Sequence, residues 1–174
     1  SWLVKRGHGS FITMEYGEPQ VDVRKPLLLP LSIEGGPAKT LQRLAFVHGE
    51  WHLWIYCCEW SLRLKDVQLA HNESDDVTMD RALGVLNGQV LQAVDIEPDD
   101  GRTRFTFDLG CSLLTCPAPP GIYGDEPAEQ WKLYSRPGPV LVVREDGRYS
   151  IGDGHERPAD MHWLPIATPV RVHE

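Results

Sequence analysis

Apolar and polar residues alternate with a period of two along most of this chain, and that rhythm predicts β-strands. Gly9 to Tyr16 alternates and stops at Gly17, which reads as one strand. Val21 to Arg24 reads as a second, shorter one. From Pro26 to Pro37 proline and leucine dominate. Proline keeps this stretch out of helix interiors and central strands, so it is expected to be extended and packed. Leu41 to Val47 and Trp51 to Leu64 are expected to form a hairpin, turned by His48, Gly49 and Glu50.

The run from Trp51 to Leu64 carries the strongest signal. Its even positions are Trp54, Tyr56, Cys58, Trp60, Leu62 and Leu64. Its odd positions soften from Ile55 and Cys57 to Glu59, Ser61 and Arg63. The pattern predicts one central strand, buried on both faces at first and on the even face later. Asp66 to Thr78 is polar and reads as a loop. A short helix is expected from Met79 to about Leu86, capped by Thr78 and stopped at Asn87 and Gly88, with Ala82, Leu83 and Leu86 facing inward.

Hairpins fill the second half. Val90 to Ile96 and Arg102 to Leu114 flank the turn Pro98 to Gly101. The returning strand places Thr103, Phe105, Phe107, Leu109 and Cys111 on one face. After a proline- and glycine-rich loop from Cys116 to Pro127, Gln130 to Ser135 and Val140 to Arg144 flank Arg136 to Pro139. Glu145 to Gly147 then turns the chain into Arg148 to Ile151. The tail from Gly152 has prolines at 158, 165 and 169, and Met161 to Leu164 suggests one turn that packs a sixth indole.

The expected fold is therefore mainly β or α+β: an antiparallel, strongly curved sheet or partly open barrel with one short helix near 79–87. The 174 residues suit a single domain over 1–174, with a hairpin half over 1–66, a polar connector over 67–78, and a helix with hairpins over 79–174. The expected core comprises Phe11, Leu44, Phe46, Trp54, Tyr56, Trp60, Leu83, Phe105, Phe107, Trp131 and Leu141.

Charge narrows the partners. A formal net charge of −8 argues against nucleic acid, whose binding draws its affinity from a basic footprint; solubility alone is the first reading of that charge, and it would also suit a basic protein partner. No apolar run reaches the roughly 18 residues of a membrane span. The opening Ser1 to His8 lacks the charged-then-apolar order of a secretory leader, so a cytoplasmic protein is expected, with no membrane partner. The spacing of Cys57, Cys58, Cys111 and Cys116 does not supply the two short knuckles of a zinc site, and all four are expected to be apolar thiols rather than disulfides. Neither a metal nor a cofactor is expected.

Several motifs fail on inspection. Gly35 to Thr40 resembles the end of a phosphate loop, but Ala38 and Ile33 stand where that loop needs glycines. His48, Gly49 and Glu50 have the H-x-E form of zinc deaminases without the accompanying P-C-x-x-C. His48 to His52 is not H-E-x-x-H. The paired carboxylates at Asp75, Asp99, Asp125 and Glu145 sit in expected turns, without calcium-loop spacing. Arg102, Arg104, Arg144 and Arg148 read as outward residues that blunt sheet edges.

The stretch Leu86 to Gln89, Asp95 to Gly101, Phe105 to Gly110, Gln130 to Leu133 and Arg144 to Ser150 resembles a group of small, β-rich bacterial proteins. Some of that group are similar to immunity proteins of contact-dependent and polymorphic toxin systems. The resemblance covers about 86–150 and implies a β fold and an interaction role. It carries no catalytic residue. The leading expectation is a non-enzymatic binding protein of immunity type. One alternative is a small-molecule binder that uses the curved sheet as a cup, with Trp54, Tyr56, Trp60 and His52 as the ligand-binding residues. The other is a hydrolase using His48, His52 or His155 with a nearby carboxylate.

Overall fold

The computed structural model describes residues 1–30, 39–136, 138–154, 156–157 and 159–167. Its first strands are β1 (Trp2–Arg6), β2 (Ile12–Tyr16), β3 (Gln20–Val23), β4 (Leu27–Pro30), β5 (Lys39–Gln42), β6 (Ala45–His48), β7 (Trp51–Ile55), β8 (Cys58–Leu64) and β9 (Val67–His71). The helix α1 (Asp76–Gly84) follows. Then come β10 (Leu91–Ile96), β11 (Thr103–Phe107), β12 (Cys111–Pro117), β13 (Glu129–Ser135), β14 (Val140–Arg144), β15 (Arg148–Gly152) and β16 (Leu164–Pro165). About half the chain is strand, and the antiparallel sheets do not close into a barrel. The phosphate-loop-like residues 35–38, the part of the proline-rich stretch beyond residue 30, and His155 lie outside the described residues.

Two sheets face each other. One has the order β1-β2-β7-β13-β14-β15-β16 and the other β10-β11-β12-β8-β9. Their inner faces share one hydrophobic cluster, with Ile12, Leu53, Ile55, Trp131 and Val143 from the first and Trp60, Leu62, Phe105, Phe107 and Leu113 from the second. Phe105 meets the Trp131 ring edge-on, with centroids 5.6 Å apart. Helix α1 packs against β1 and β9 and buries Met79, Ala82 and Leu83.

The Trp51–Leu64 run is two strands in two sheets, not one. Tyr56 and Cys57 interrupt it, and Cys57 takes a left-handed backbone with φ of 49°. The chain crosses there from one inner face to the opposing one, and the buried parity switches. Leu53 and Ile55 are core residues in β7, whereas Cys58, Trp60 and Leu62 are core residues in β8. Trp54 therefore turns away from the core that Trp60 enters. Both strands are interior to their sheets.

Other expectations change as well. Val67–His71 is a strand along β8, not a connector. Asp75 caps α1, accepting from the backbone N–H of Thr78 at 3.0 Å and from its hydroxyl at 2.6 Å, so the helix begins three residues earlier than Thr78 suggests. Arg102–Leu114 splits into β11 and β12 around Asp108 to Gly110, which places Leu109 in the turn at 65 % exposure. Met161 to Leu164 forms no helical turn; Trp163 lies under the Arg144 guanidinium, 4.3 Å from its ring centre. Among the expected core residues, Phe46 is exposed, and Phe11, Leu44, Trp54, Tyr56 and Leu141 are half-buried.

The expected hairpin of Leu41–Val47 with Trp51–Leu64 is replaced by a longer device. β2 pairs with β7, β3 with β6, and β4 with β5. The chain from Ile12 to Pro30 thus runs out as one side of an antiparallel ribbon and returns from Lys39 to Ile55 as the other. Arg24 N–H donates to the Leu44 carbonyl at 2.9 Å between the outer two ladders. His48, Gly49 and Glu50 mark a bend along this ribbon rather than a hairpin turn.

Candidate functional site: the outer face of the larger sheet

Register places two rows of side chains on the face of the seven-stranded sheet turned away from the core. Glu15, His52 and Tyr134 form one row, and Thr13, Trp54 and Lys132 the next. Their neighbours along each strand, such as Met14, Leu53 and Ile55, are buried in the opposite direction. The period of two therefore sorts β7 into a core side and a chemical side.

Glu15 is buried, and both its oxygens have work. Oε1 lies 2.7 Å from His52 Nδ1, and Oε2 accepts the Gly49 N–H at 3.0 Å. The carboxylate fixes which imidazole nitrogen carries hydrogen and leaves Nε2 as the position for chemistry, as in acid–base pairs. The His52 ring lies 5.8 Å from that of Tyr134. His48 is buried one turn of the ribbon away. Its Nδ1 is 3.0 Å from the Gly49 carbonyl oxygen and its Nε2 is 3.0 Å from Asp22 Oδ2, so an acceptor faces each ring nitrogen. These contacts fasten the bend between the sheet and the ribbon.

Beside that row stands an aromatic group. Trp54 and Tyr56 stack with centroids 4.6 Å apart and planes at 25°, and Phe11 meets both edge-on at 6.3 and 6.1 Å. The Tyr56 hydroxyl donates to Glu129 Oε2. Lys132 Nζ lies 2.8 Å from the same oxygen and 5.7 Å from the Tyr56 ring centre. Burial, followed by the hydrogen bond to Glu129 and its charge, holds the Tyr56 phenol far above its ordinary range. Tyr134 is raised too, by burial first and by Glu129 second. Among the described residues Glu129 Oε1 is buried without a hydrogen-bond partner.

Of the four residues expected to bind a ligand, His52, Trp54 and Tyr56 are thus brought to one side of the molecule. Trp60 is not among them. It is buried in the core, and its indole N–H donates to the Ser10 carbonyl at 2.7 Å. Sequence reasoning missed Glu15, Glu129, Lys132 and Tyr134. Alternation with Met14, Trp131 and Leu133 marks Glu15, Lys132 and Tyr134 as outward-facing, whereas Glu129 shares the parity of Trp131 and is set apart from it by the register shift between them; only strand pairing places these residues beside β7.

A shallow cavity of about 260 Å³ lies on the outer face of the smaller sheet, lined chiefly by Glu59, Ser61, His71, Glu73 and Cys116. Glu59 pairs across the ladder with Cys116, and Ser61 with His71. His71 Nδ1 accepts the Glu73 N–H at 3.3 Å. The cavity is polar and does not adjoin the Trp54–Tyr56 stack. Its cysteine is not activated: burial pushes the Cys116 thiol up, and the nearby Arg102 only partly offsets it. Cys57 and Cys58 are raised as well, again chiefly by burial, and Cys111 is 1 % exposed. A disulfide-exchange reagent at about pH 8 is expected to modify the folded protein at least ~10-fold more slowly than the unfolded chain, in which all four thiols react together. Time-resolved thiol titration checks this. One thiol reacting at the unfolded rate in the folded protein would reveal an activated cysteine.

Among the described residues no group of three or more histidine, cysteine or acidic side chains is arranged to hold a metal ion. No protein-family model, no curated protein and no solved structure matches this chain.

Proposed function

We propose that this chain is a non-enzymatic protein-binding module of the immunity type, and that the outer face of its larger sheet is the recognition surface. The reading is carried by the half-buried Trp54–Tyr56 stack with its flanking charge pairs. Tryptophan and tyrosine supply much of the energy where proteins meet, because a rigid ring contributes large area at low entropic cost. Lys132 with Glu129, and His52 with Glu15, are already paired, so a partner can cover them without stranding a charge. The net charge of −8 favours a basic partner by steering its approach.

The same face contains the feature that speaks for a hydrolase, the His52–Glu15 pair. Its construction fits an anchor better. Glu15 spends its second oxygen on the Gly49 backbone, where the ribbon leaves the sheet. That use explains a buried carboxylate without any reaction.

Affinity capture with the full chain as bait tests the proposal. Wild type is expected to recover one stoichiometric protein partner, and Trp54→Ala to weaken that complex by at least ~10-fold, or ~1.4 kcal/mol. A thermal melt of the variant confirms that it remains folded. Absence of a stoichiometric partner, or equal capture by the variant, overturns the reading.

A further inference from the structure

His48 sits at the root of the ribbon, 7 % exposed, between two acceptors. Asp22 Oδ2, from the paired strand β3, stands 3.0 Å from its Nε2, and the Gly49 carbonyl oxygen stands 3.0 Å from its Nδ1. A neutral imidazole has one N–H and would point a lone pair at one of these oxygens. The imidazolium has two N–H groups and serves both.

The ionisable groups on the surrounding elements leave room for that charge. β3 brings Asp22, β2 brings Glu15, the turn before β3 brings Glu18 and the bend brings Glu50. β7 brings His52, whose Nδ1 is engaged by Glu15 at 2.7 Å, and β13 brings Tyr134, 5.8 Å from the His52 ring. The cations are Arg24, which lies over the Phe46 ring at 4.6 Å, and Arg136, whose backbone N–H donates to the Glu50 carbonyl at 2.9 Å. Carboxylates outnumber cations around His48, so a charge on its ring is matched, not stranded. The contacts also run as one line across four strands: Asp22 to His48, His48 to the Gly49 carbonyl, the Gly49 N–H to Glu15, and Glu15 to His52.

We propose that His48 is a proton latch for the ribbon: with hydrogen on both ring nitrogens it ties β6 to β3 and to the bend, and loss of one of them lets β3 separate from β6. At this ring the closed ribbon binds one proton more than the open one, so closure weakens as pH rises. The change falls in the range from about pH 5 to about pH 8, where histidine alters its charge. Two strands by themselves are marginal in water, so a single cross-strand contact can decide whether they stay paired. The latch lies apart from the Trp54–Tyr56 stack and its test needs no partner, so it stands if the proposed recognition role falls.

Amide hydrogen exchange of the full chain from about pH 5.5 to about pH 8, corrected for the intrinsic rate at each pH, tests the proposal. Protection of the β3 and β6 amides is expected to fall at least ~10-fold across that range, while β7, β13 and β14 keep theirs. The imidazole nitrogen resonances of His48 are expected to show loss of its second ring hydrogen with the same midpoint. Asp22→Asn is expected to abolish the pH dependence, because an amide can accept from the charged ring and donate to the neutral one. Asp22 is largely exposed, so this change leaves the core intact. Ribbon protection that is absent or constant with pH, a midpoint not shared with His48, or an Asp22→Asn variant that keeps the dependence overturns the proposal.

Discussion

Trp131→Ala is expected to lower the unfolding free energy by about 3–5 kcal/mol, a large share of the roughly 5–15 kcal/mol available to a domain. Trp131 stands on β13 at the meeting of the two sheets, 2 % exposed. Its ring meets Phe105 edge-on, and its indole N–H donates at 2.9 Å to the Thr103 hydroxyl, which itself donates to the Gly101 carbonyl at 2.9 Å. Truncation removes a ring's worth of buried area and leaves a cavity between sheets that cannot collapse without shifting whole strands. Trp131→Phe separates the terms. It retains most of the contact with Phe105 and loses the N–H donor, and it is expected to cost about 1–2 kcal/mol. Urea unfolding followed by far-ultraviolet circular dichroism measures both, with an unchanged denaturant slope expected. A Trp131→Ala loss below about 1.5 kcal/mol would mean that the sheets are not joined through this ring.

Gly147→Ala is expected to be comparably damaging, about 3 kcal/mol or more, though it adds only a methyl group. Gly147 lies in the turn between β14 and β15 with φ of 67°, and a Cβ there would stand 1.7 Å from the Pro98 carbonyl oxygen. The obstacle is backbone, so no side chain can swing aside. The contact is reciprocal: a Cβ on Gly101, in the turn between β10 and β11, would stand 2.1 Å from the Arg144 carbonyl oxygen. Turns from the two sheets are thus packed backbone to backbone, and the Ile166 N–H adds a bond to the Gly147 carbonyl at 3.0 Å. Gly121→Ala is the control. Its φ of 83° is equally left-handed, but nothing lies within 4 Å of the added carbon, so only the backbone strain of about 1 kcal/mol is expected. Equal losses at 147 and 121 in denaturant titrations would show that conformation alone, not the close approach of the two turns, decides the cost.

Much of the local structure is legible in the residues. Val140–Arg144 follows from an unbroken apolar run and its turn at Gly147 from an aspartate–glycine pair, whereas β10, β11 and the turn between them follow from alternation and a second such pair. The helix is legible in kind but displaced in position. Asp75 outcompetes Thr78 as its cap, because a carboxylate at that place accepts from both the backbone and the hydroxyl of Thr78. Val67–His71 was hidden because an edge strand with a polar outer face reads like a loop until its neighbour is known. The proposed recognition face is legible only in part. Its aromatic residues stand out in any reading, whereas Glu15 and Lys132 gain meaning only when β2 and β13 flank β7.

Period and turn chemistry are local, and so the amino-acid order alone settles that this protein is built of short antiparallel strands with one brief helix, and which side chains share a side of each strand. It does not settle which side meets which sheet. That choice is made at Cys57, where the chain crosses between two opposed layers and sends Trp54 outward and Trp60 inward. Nor does it decide that β6 returns along β3 instead of folding back on β7. Both outcomes depend on burial summed over residues far apart in sequence, a quantity that exists only once the layers have closed on each other.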